Sequence, residues 1–183
     1  MRVIPIWGSN FVLSDKILEL GSGQADIAIR TKRSDEGALV GRKIADSPWA
    51  VYASRSYVDR HSKIENAAQI DGHSVVIFAG ALTDHPAARW LRTVAPSAHV
   101  AARADSIAAL LPSVKSGAGI ALMPVAVGKN EKDLVRILDL AADMATPIYL
   151  LTHRDLRRTP RVRAFFDFII EHLEEVRPLL SQG

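Results

Sequence analysis

Residues 100–123 read VAARADSIAALLPSVKSGAGIALM. The small and apolar run at 100–104 predicts a strand, and the run at 119–123 predicts a second, buried strand. Between them apolar residues recur at helical spacing after Asp105 or Ser106, either of which can cap a helix. A strand, a helix and a strand in this order are typical of an α/β fold with mostly parallel strands.

The same alternation continues outward through the chain. Further strands are predicted by apolar runs at 3–7, 26–30, 49–53, 74–79, 134–138 and 147–152. Helices are predicted at 15–20, from Pro86, from Ile107 to Gly117 and from Pro160. The last of these is the clearest, because Thr159 can cap it and its apolar stripe continues to Val176.

The composition of these 183 residues excludes several classes of function. There is no cysteine, which excludes disulfides, thiolate nucleophiles, zinc–thiolate sites and iron–sulfur clusters. The first residues lack the pattern of a secretory signal, and no apolar run is long enough to span a bilayer. We therefore expect a cytoplasmic protein without a membrane partner.

The formal charge of +3 is concentrated in one segment. Residues 153–163, HRDLRRTPRVR, contain five arginines and one aspartate, which leaves the rest of the chain at −1. We expect a solvated loop whose charges pair with Asp155, Asp167 or another subunit, and phosphate binding is the alternative. Balanced charge elsewhere argues against a general polyanion-binding surface.

No catalytic pattern emerges from the sequence. The six histidines never take the spacing of a metalloprotease helix, and no nucleophile elbow, dinucleotide fingerprint or P-loop is present. We expect no catalytic residue, no metal and no cofactor. Asp26, inside a predicted strand, is expected to accept hydrogen bonds from neighbouring backbone amides, the alternative being a buried carboxylate with other donors.

Four segments in order resemble a known family. They are ELGSGQADIAIR at 19–30, LVGRKIADSPWAVYASRSYVDRH at 39–61, VKSGAGIALMP at 114–124 and PIYLLTHRDLRRTPRVRAFFDFI at 147–169. On these motifs the chain resembles the effector-sensing domain of LysR-type transcriptional regulators over nearly its whole length. The ordered set is specific, whereas each motif alone is weak.

The resemblance implies an α/β fold of two Rossmann-like lobes joined by two hinge strands, similar to type 2 periplasmic binding proteins. Residues 1–46 and 151–183 would form lobe one and residues 47–150 lobe two, with hinge strands near 44–49 and 149–153. Lobe one would be truncated at its N-terminus, leaving a gap beside the strand at 26–30. We expect rearrangement or another chain to fill that gap, because unpaired strand edges are unfavourable.

In that family a small effector binds in the cleft between the lobes, where strand ends and helix amino termini converge. The matching positions here are Gly8, Ser9, Arg30, Thr31, Phe78, Ala79, Gly80, Ala81, Asp105 and Ser106. Hydroxyl and amide groups, with Arg30 at the mouth, suit a small carboxylate. A salt bridge on the rim is the alternative role for Arg30.

The implied function is ligand sensing that controls transcription through a homodimer or higher oligomer. DNA would be bound only by a winged helix-turn-helix domain absent from these residues. Two alternatives have the same two-lobed fold. One is a solute-binding protein of a transport system, and the other is an enzyme.

Overall fold

The computed structural model describes residues 10, 12, 20, 22–32 and 37–181. The strands in this part are β1 (Ile27–Arg30), β2 (Leu39–Ser47), β3 (Trp49–Ser54), β4 (Ser74–Phe78), β5 (His99–Ala104), β6 (Ala121–Pro124), β7 (Leu134–Asp139) and β8 (Thr146–His153). The α-helices are α1 (Arg55–Val58), α2 (Pro86–Val94), α3 (Ile107–Lys115), α4 (Val125–Gly128), α5 (Pro160–Glu171) and α6 (Leu173–Ser181). The strand predicted at 3–7 and nearly all of the helix predicted at 15–20 lie outside the described residues.

The chain divides into two compact units. Unit 1 contains the residues up to Ala45 together with Pro147–Val176. Unit 2 contains Asp46–Thr146 together with the residues from Arg177 onward.

In unit 1, β8 lies between β1 and β2. β1 runs antiparallel to β8, with Ile27 opposite Thr152. β2 passes β8 so closely that a Cβ atom on Gly41 would lie 2.0 Å from the carbonyl oxygen of Leu150. The buried apolar side chains of this unit include Ile44, Ala45, Ile148, Leu150, Leu151, Val162, Phe166 and Leu173.

In unit 2, β3 lies between β6 and β7 and is antiparallel to both. All six residues of β3 are buried. β4 and β5 form a parallel pair, and a parallel bridge between Val75 and Ile120 joins this pair to the segment before β6. The largest side chains in the core include Tyr52, Ile70, Val75, Leu110, Ile120, Leu122 and Met123.

The expectation of mostly parallel strands is wrong for the described pairs. The pairings β1–β8, β3–β6 and β3–β7 are antiparallel, and β4–β5 is parallel. A fully buried strand is apolar whichever way its neighbours run, so the sequence pattern does not report direction. The pattern also missed β2 as a strand, because Gly41, Arg42 and Lys43 interrupt its apolar residues.

Side-chain caps are present at the starts of α1, α2 and α3, whereas the Thr159 side chain makes no cap hydrogen bond at the start of α5. The Ser106 hydroxyl accepts a hydrogen bond from the Ala109 N–H at 3.1 Å, so Ser106 rather than Asp105 caps α3. His85 caps α2, and its ring Nδ1 accepts from the Ala87 N–H at 3.2 Å. None of the described helices combines the length and the apolar character needed to cross a membrane.

The single continuous helix expected from Pro160 to Val176 is wrong. α5 starts at Pro160 as predicted, but it ends at Glu171, and His172 separates it from α6. The ring Nδ1 of His172 lies 2.9 Å from the Phe168 carbonyl oxygen, which also accepts the His172 backbone N–H at 3.1 Å. The His172 backbone, with φ of −102° and ψ of 22°, departs from helical geometry and marks the interruption.

Candidate functional site

The carboxyl ends of β4 and β5 bring two groups of predicted site residues together. Because the strands are parallel, with Phe78 opposite Ala104, both leave the sheet at the same edge. The Ala79 N–H donates to the Ala104 carbonyl at 2.8 Å. Phe78, Ala79, Gly80 and Ala81 therefore lie beside Asp105 and Ser106.

Gly80 is required by the shape of this edge. Its φ of +56° is a conformation that side-chain-bearing residues rarely adopt. A Cβ atom on Gly80 would lie 3.5 Å from the Asp105 Cβ, so the two loops are in direct proximity.

Asp105 and Ser106 have different roles at the start of α3. Ser106 is 9% exposed and its hydroxyl serves the helix cap, whereas Asp105 is exposed. The first turn of α3 contains no acidic residue, and the first N–H groups of a helix lack helical acceptors and attract anions. This edge therefore offers backbone donors and one carboxylate.

An aromatic and polar cluster adjoins the same edge, and the sequence analysis missed it. The Trp49 ring packs against the His85 ring, with centroids 4.4 Å apart, and meets Phe78 edge-on at 5.9 Å. The Trp49 Nε1–H donates to the Thr146 hydroxyl at 2.9 Å, and His85 Nε2 lies 3.3 Å from the same oxygen. No sequence pattern links residues so far apart, so only the fold reveals this group.

The cluster fixes the tautomer of neutral His85. Its Nδ1 accepts from the Ala87 N–H and therefore carries no proton, which places the proton on Nε2. Nε2–H then donates to the Thr146 hydroxyl, and Trp49, His85 and Thr146 hold one another in fixed orientations.

The remaining predicted site residues lie in the amino-terminal part of the chain. Arg30 is the last residue of β1, lies opposite Tyr149 and is partly buried, and Thr31 follows it in an exposed position. Both belong to unit 1. Gly8 and Ser9 lie outside the described residues.

Asp26 has a different partner from the backbone amides that we expected. Arg161 donates to both carboxylate oxygens of Asp26, at 2.8 and 3.0 Å. These hydrogen bonds lower the pKa of Asp26 below its usual 3.8, against a smaller opposing effect of burial. The pair links the start of β1 to the first turn of α5, so its geometry assigns it a structural role.

The described residues contain no group of three or more histidine, cysteine or acidic side chains placed to hold a metal ion. The rings of His61 and His73 contact Tyr57 and each other.

Comparison with known proteins agrees with the resemblance. The model of the LysR substrate binding domain matches residues 11–174. The HTH-type transcriptional regulator CrgA of Neisseria meningitidis serogroup C (strain 8013) is 27% identical over 176 residues, which cover 90% of this chain and 56% of CrgA. The chain thus spans about half the length of the curated relatives it matches.

Solved structures of regulatory and effector binding domains also align with this chain. The CrgA regulatory domain from Neisseria meningitidis aligns with a TM-score of 0.65 and 25% identity, covering 87% of this chain and 81% of that one. The regulatory domain of AphB in Vibrio vulnificus aligns with a TM-score of 0.61 and 21% identity, covering 85% of this chain and 78% of that one. The effector binding domain of QuiR in complex with shikimate aligns with a TM-score of 0.64 and 17% identity, covering 86% of this chain and 76% of that one.

These findings confirm the predicted fold class, an α/β effector-binding domain of the periplasmic-binding-protein type. The relatives are transcriptional regulators rather than enzymes, in agreement with the expectation of no catalysis. The chain belongs to the LysR substrate binding domain family.

Proposed function

We propose that this chain is the effector-sensing part of a LysR-type transcriptional regulator and that its effector is a small organic acid. The observation that carries the proposal is the edge at the ends of β4 and β5, where Phe78–Ala81 lie beside Asp105 and the start of α3. Ligands of open α/β sheets bind outside the carboxyl ends of parallel strands, and this edge is such a place.

The chemistry of the edge supports a carboxylate with an apolar body. The first turn of α3 offers backbone N–H groups to an anionic group, apart from the Ala109 N–H that Ser106 caps. Trp49 and Phe78 are buried beside this edge as apolar support, and exposed Asp105 supplies an acceptor for a ligand hydroxyl. The QuiR domain, which has a similar fold, was solved with shikimate.

We further propose that residues 1–46 with 151–183, and residues 47–150, are lobes whose arrangement the effector shifts. Arg30 and Thr31 would then contact the effector from lobe one, with Gly8 and Ser9 beside them. A ligand can shift such an equilibrium only by its difference in affinity for the two arrangements, and about 1–3 kcal/mol is typical.

The partners follow from the family membership. We propose that the chain acts as a homodimer or higher oligomer in the cytoplasm, and that DNA is bound by a helix-turn-helix domain outside these 183 residues. Transport and enzymatic roles are less well supported, because the curated matches are transcriptional regulators.

Thermal denaturation with a panel of small carboxylates, including shikimate, benzoate and succinate, tests the proposal. A true effector present at about 100 times its Kd should stabilise the chain by about 2.7 kcal/mol. Arg30→Ala and Asp105→Ala should each weaken that effect, whereas the control Arg42→Ala, an exposed arginine on β2, should not. Stabilisation that survives both site variants would place the ligand elsewhere.

A further inference from the structure

The arginine-rich segment that starts at the end of β8 contains more arginines than carboxylate partners among the described residues. Residues 153–163 contain five of the chain's arginines and one aspartate. The whole segment belongs to unit 1, as do β1 and the amino-terminal part of α5. Each of the five side chains has a distinct environment.

Two of the arginines make hydrogen bonds within the chain. Arg161 is paired with Asp26 through both carboxylate oxygens. Arg154 donates from its guanidinium to the Gly37 carbonyl oxygen, which is a neutral acceptor. These two side chains are engaged in bonds within the chain.

The other three arginines surround an open hollow of about 670 Å3, and Asp167 completes its lining. The Arg157 guanidinium lies 4.7 Å from the ring centroid of the buried Phe166, so packing positions its charge without a carboxylate. Arg163 lies 3.6 Å from Asp167, and both side chains are largely exposed. Arg158 makes no hydrogen bond or ion pair with any other described residue.

The charge in the hollow is out of balance. Three arginines and one aspartate line the hollow, and like charges held close together repel one another. An oxyanion entering the hollow would relieve this repulsion, and guanidinium groups bind planar or tetrahedral oxyanions through paired hydrogen bonds.

We propose that this hollow is a second ligand site, on unit 1, that binds a small and multiply charged oxyanion such as a diphosphate or a polycarboxylate. Asp167 faces the same space and would accept from a hydroxyl group of the ligand.

The distribution of charge favours a small ligand over a nucleic acid. Outside residues 153–163 the chain has a net charge of −1, so the basic surface does not continue along a path that a polymer backbone would follow.

Titration calorimetry and thermal denaturation of the full chain, with pyrophosphate and citrate as probes, test the proposal. NaCl holds the ionic strength constant, so that general screening does not change between samples. At least one probe should bind and raise the melting temperature. Arg158→Ala should weaken its binding about tenfold, because it removes charged hydrogen bonds to the ligand.

Three variants make the outcome specific. Arg103→Ala removes an exposed arginine of β5 in unit 2 and should leave the affinity unchanged. Arg158→Lys should bind with an affinity between that of the wild type and that of Arg158→Ala, since it keeps the charge but loses the paired donors. Arg30→Ala should also retain binding, which separates this site from the proposed effector site.

Several results would overturn the proposal. They are the absence of binding by either probe, an equal loss of affinity in Arg103→Ala and Arg158→Ala, or tighter binding of a DNA duplex than of either probe. Since Arg158 has no described partner, its alanine variant should melt at the wild-type temperature without ligand, which controls for misfolding.

Discussion

At the residue scale, Tyr52 is a buried polar group without a partner. Its ring is 1% exposed, its hydroxyl has no hydrogen-bond partner among the described residues, and burial raises its pKa above 10.0. A buried hydroxyl without a partner is a cost to folding. We expect Tyr52→Phe to leave the free energy of unfolding unchanged or to raise it by about 1 kcal/mol, as measured by urea denaturation.

Tyr57 provides the matched control. Its hydroxyl accepts from the Ser74 N–H at 3.0 Å and lies 3.2 Å from His73 Nδ1. Tyr57→Phe leaves two polar groups without their partner, so it should destabilise the chain by about 1–3 kcal/mol. Equal effects of the two substitutions would contradict this account of Tyr52.

His73 should make the stability of unit 2 sensitive to acid. Burial, with a smaller contribution from the positive charge of nearby His61, lowers the pKa of His73 below its usual 6.5. The unfolded chain then binds a proton more readily than the folded chain, so stability falls as the pH drops below about 6.5. His73 Nδ1 lies 3.2 Å from the Tyr57 hydroxyl, and a protonated ring can only donate to that oxygen.

Melting temperatures of wild type and His73→Gln between about pH 7.5 and pH 5 test this expectation. The variant should lose less stability on acidification than the wild type. His172→Gln, at a partly exposed position after α5, serves as the control. Parallel pH profiles for wild type and His73→Gln would show that other groups dominate.

At the element scale, the approach of β2 to β8 depends on Gly41. A Cβ atom there would lie 2.0 Å from the Leu150 carbonyl oxygen, and backbone atoms cannot move aside without separating the strands. We expect Gly41→Ala to lower the free energy of unfolding by about 3 kcal/mol or more. Gly72→Ala, where a Cβ meets nothing within 4 Å, should have little effect in the same denaturation measurement.

The pair between Asp26 and Arg161 joins β1 to α5 but is half exposed, with side chains 43% and 53% accessible. Solvent screening reduces the strength of such a pair, so a double-mutant cycle with Asp26→Asn and Arg161→Ala should give only a small coupling. Since the pKa of Asp26 is lowered, this contribution is present above about pH 4 and is lost as the pH falls further. Arg163→Ala, whose pair with Asp167 is longer, is the control.

At the scale of the whole molecule, the proposed change in lobe arrangement has a direct test. A stabilising carboxylate found by thermal denaturation should alter the small-angle X-ray scattering profile, because a ligand held by both lobes favours one arrangement. The change should be absent in Arg30→Ala at the same ligand concentration. A scattering profile that does not respond to a bound ligand would argue against the coupling.

Local sequence predicted many elements because their signals are local. The helix from Pro160 and the strand at Trp49 follow from a proline at a helix start and from an unbroken apolar run. Apolar periodicity missed β2 because Gly41, Arg42 and Lys43 interrupt its apolar residues, whereas the resemblance predicted a hinge strand near 44–49. The end of α5 at His172 was missed because the apolar stripe continues past it to Val176.

The sequence by itself determined the fold class and the family, because both rest on ordered motifs and apolar periodicity. It also placed Phe78–Ala81 and Asp105–Ser106 at strand ends, which the parallel pairing of β4 and β5 brings together. Only the tertiary structure decided strand direction, the contact of Trp49, His85 and Thr146, and the partner of Asp26. Those features depend on residues distant in sequence, and their energies arise only when folding brings the partners within contact distance.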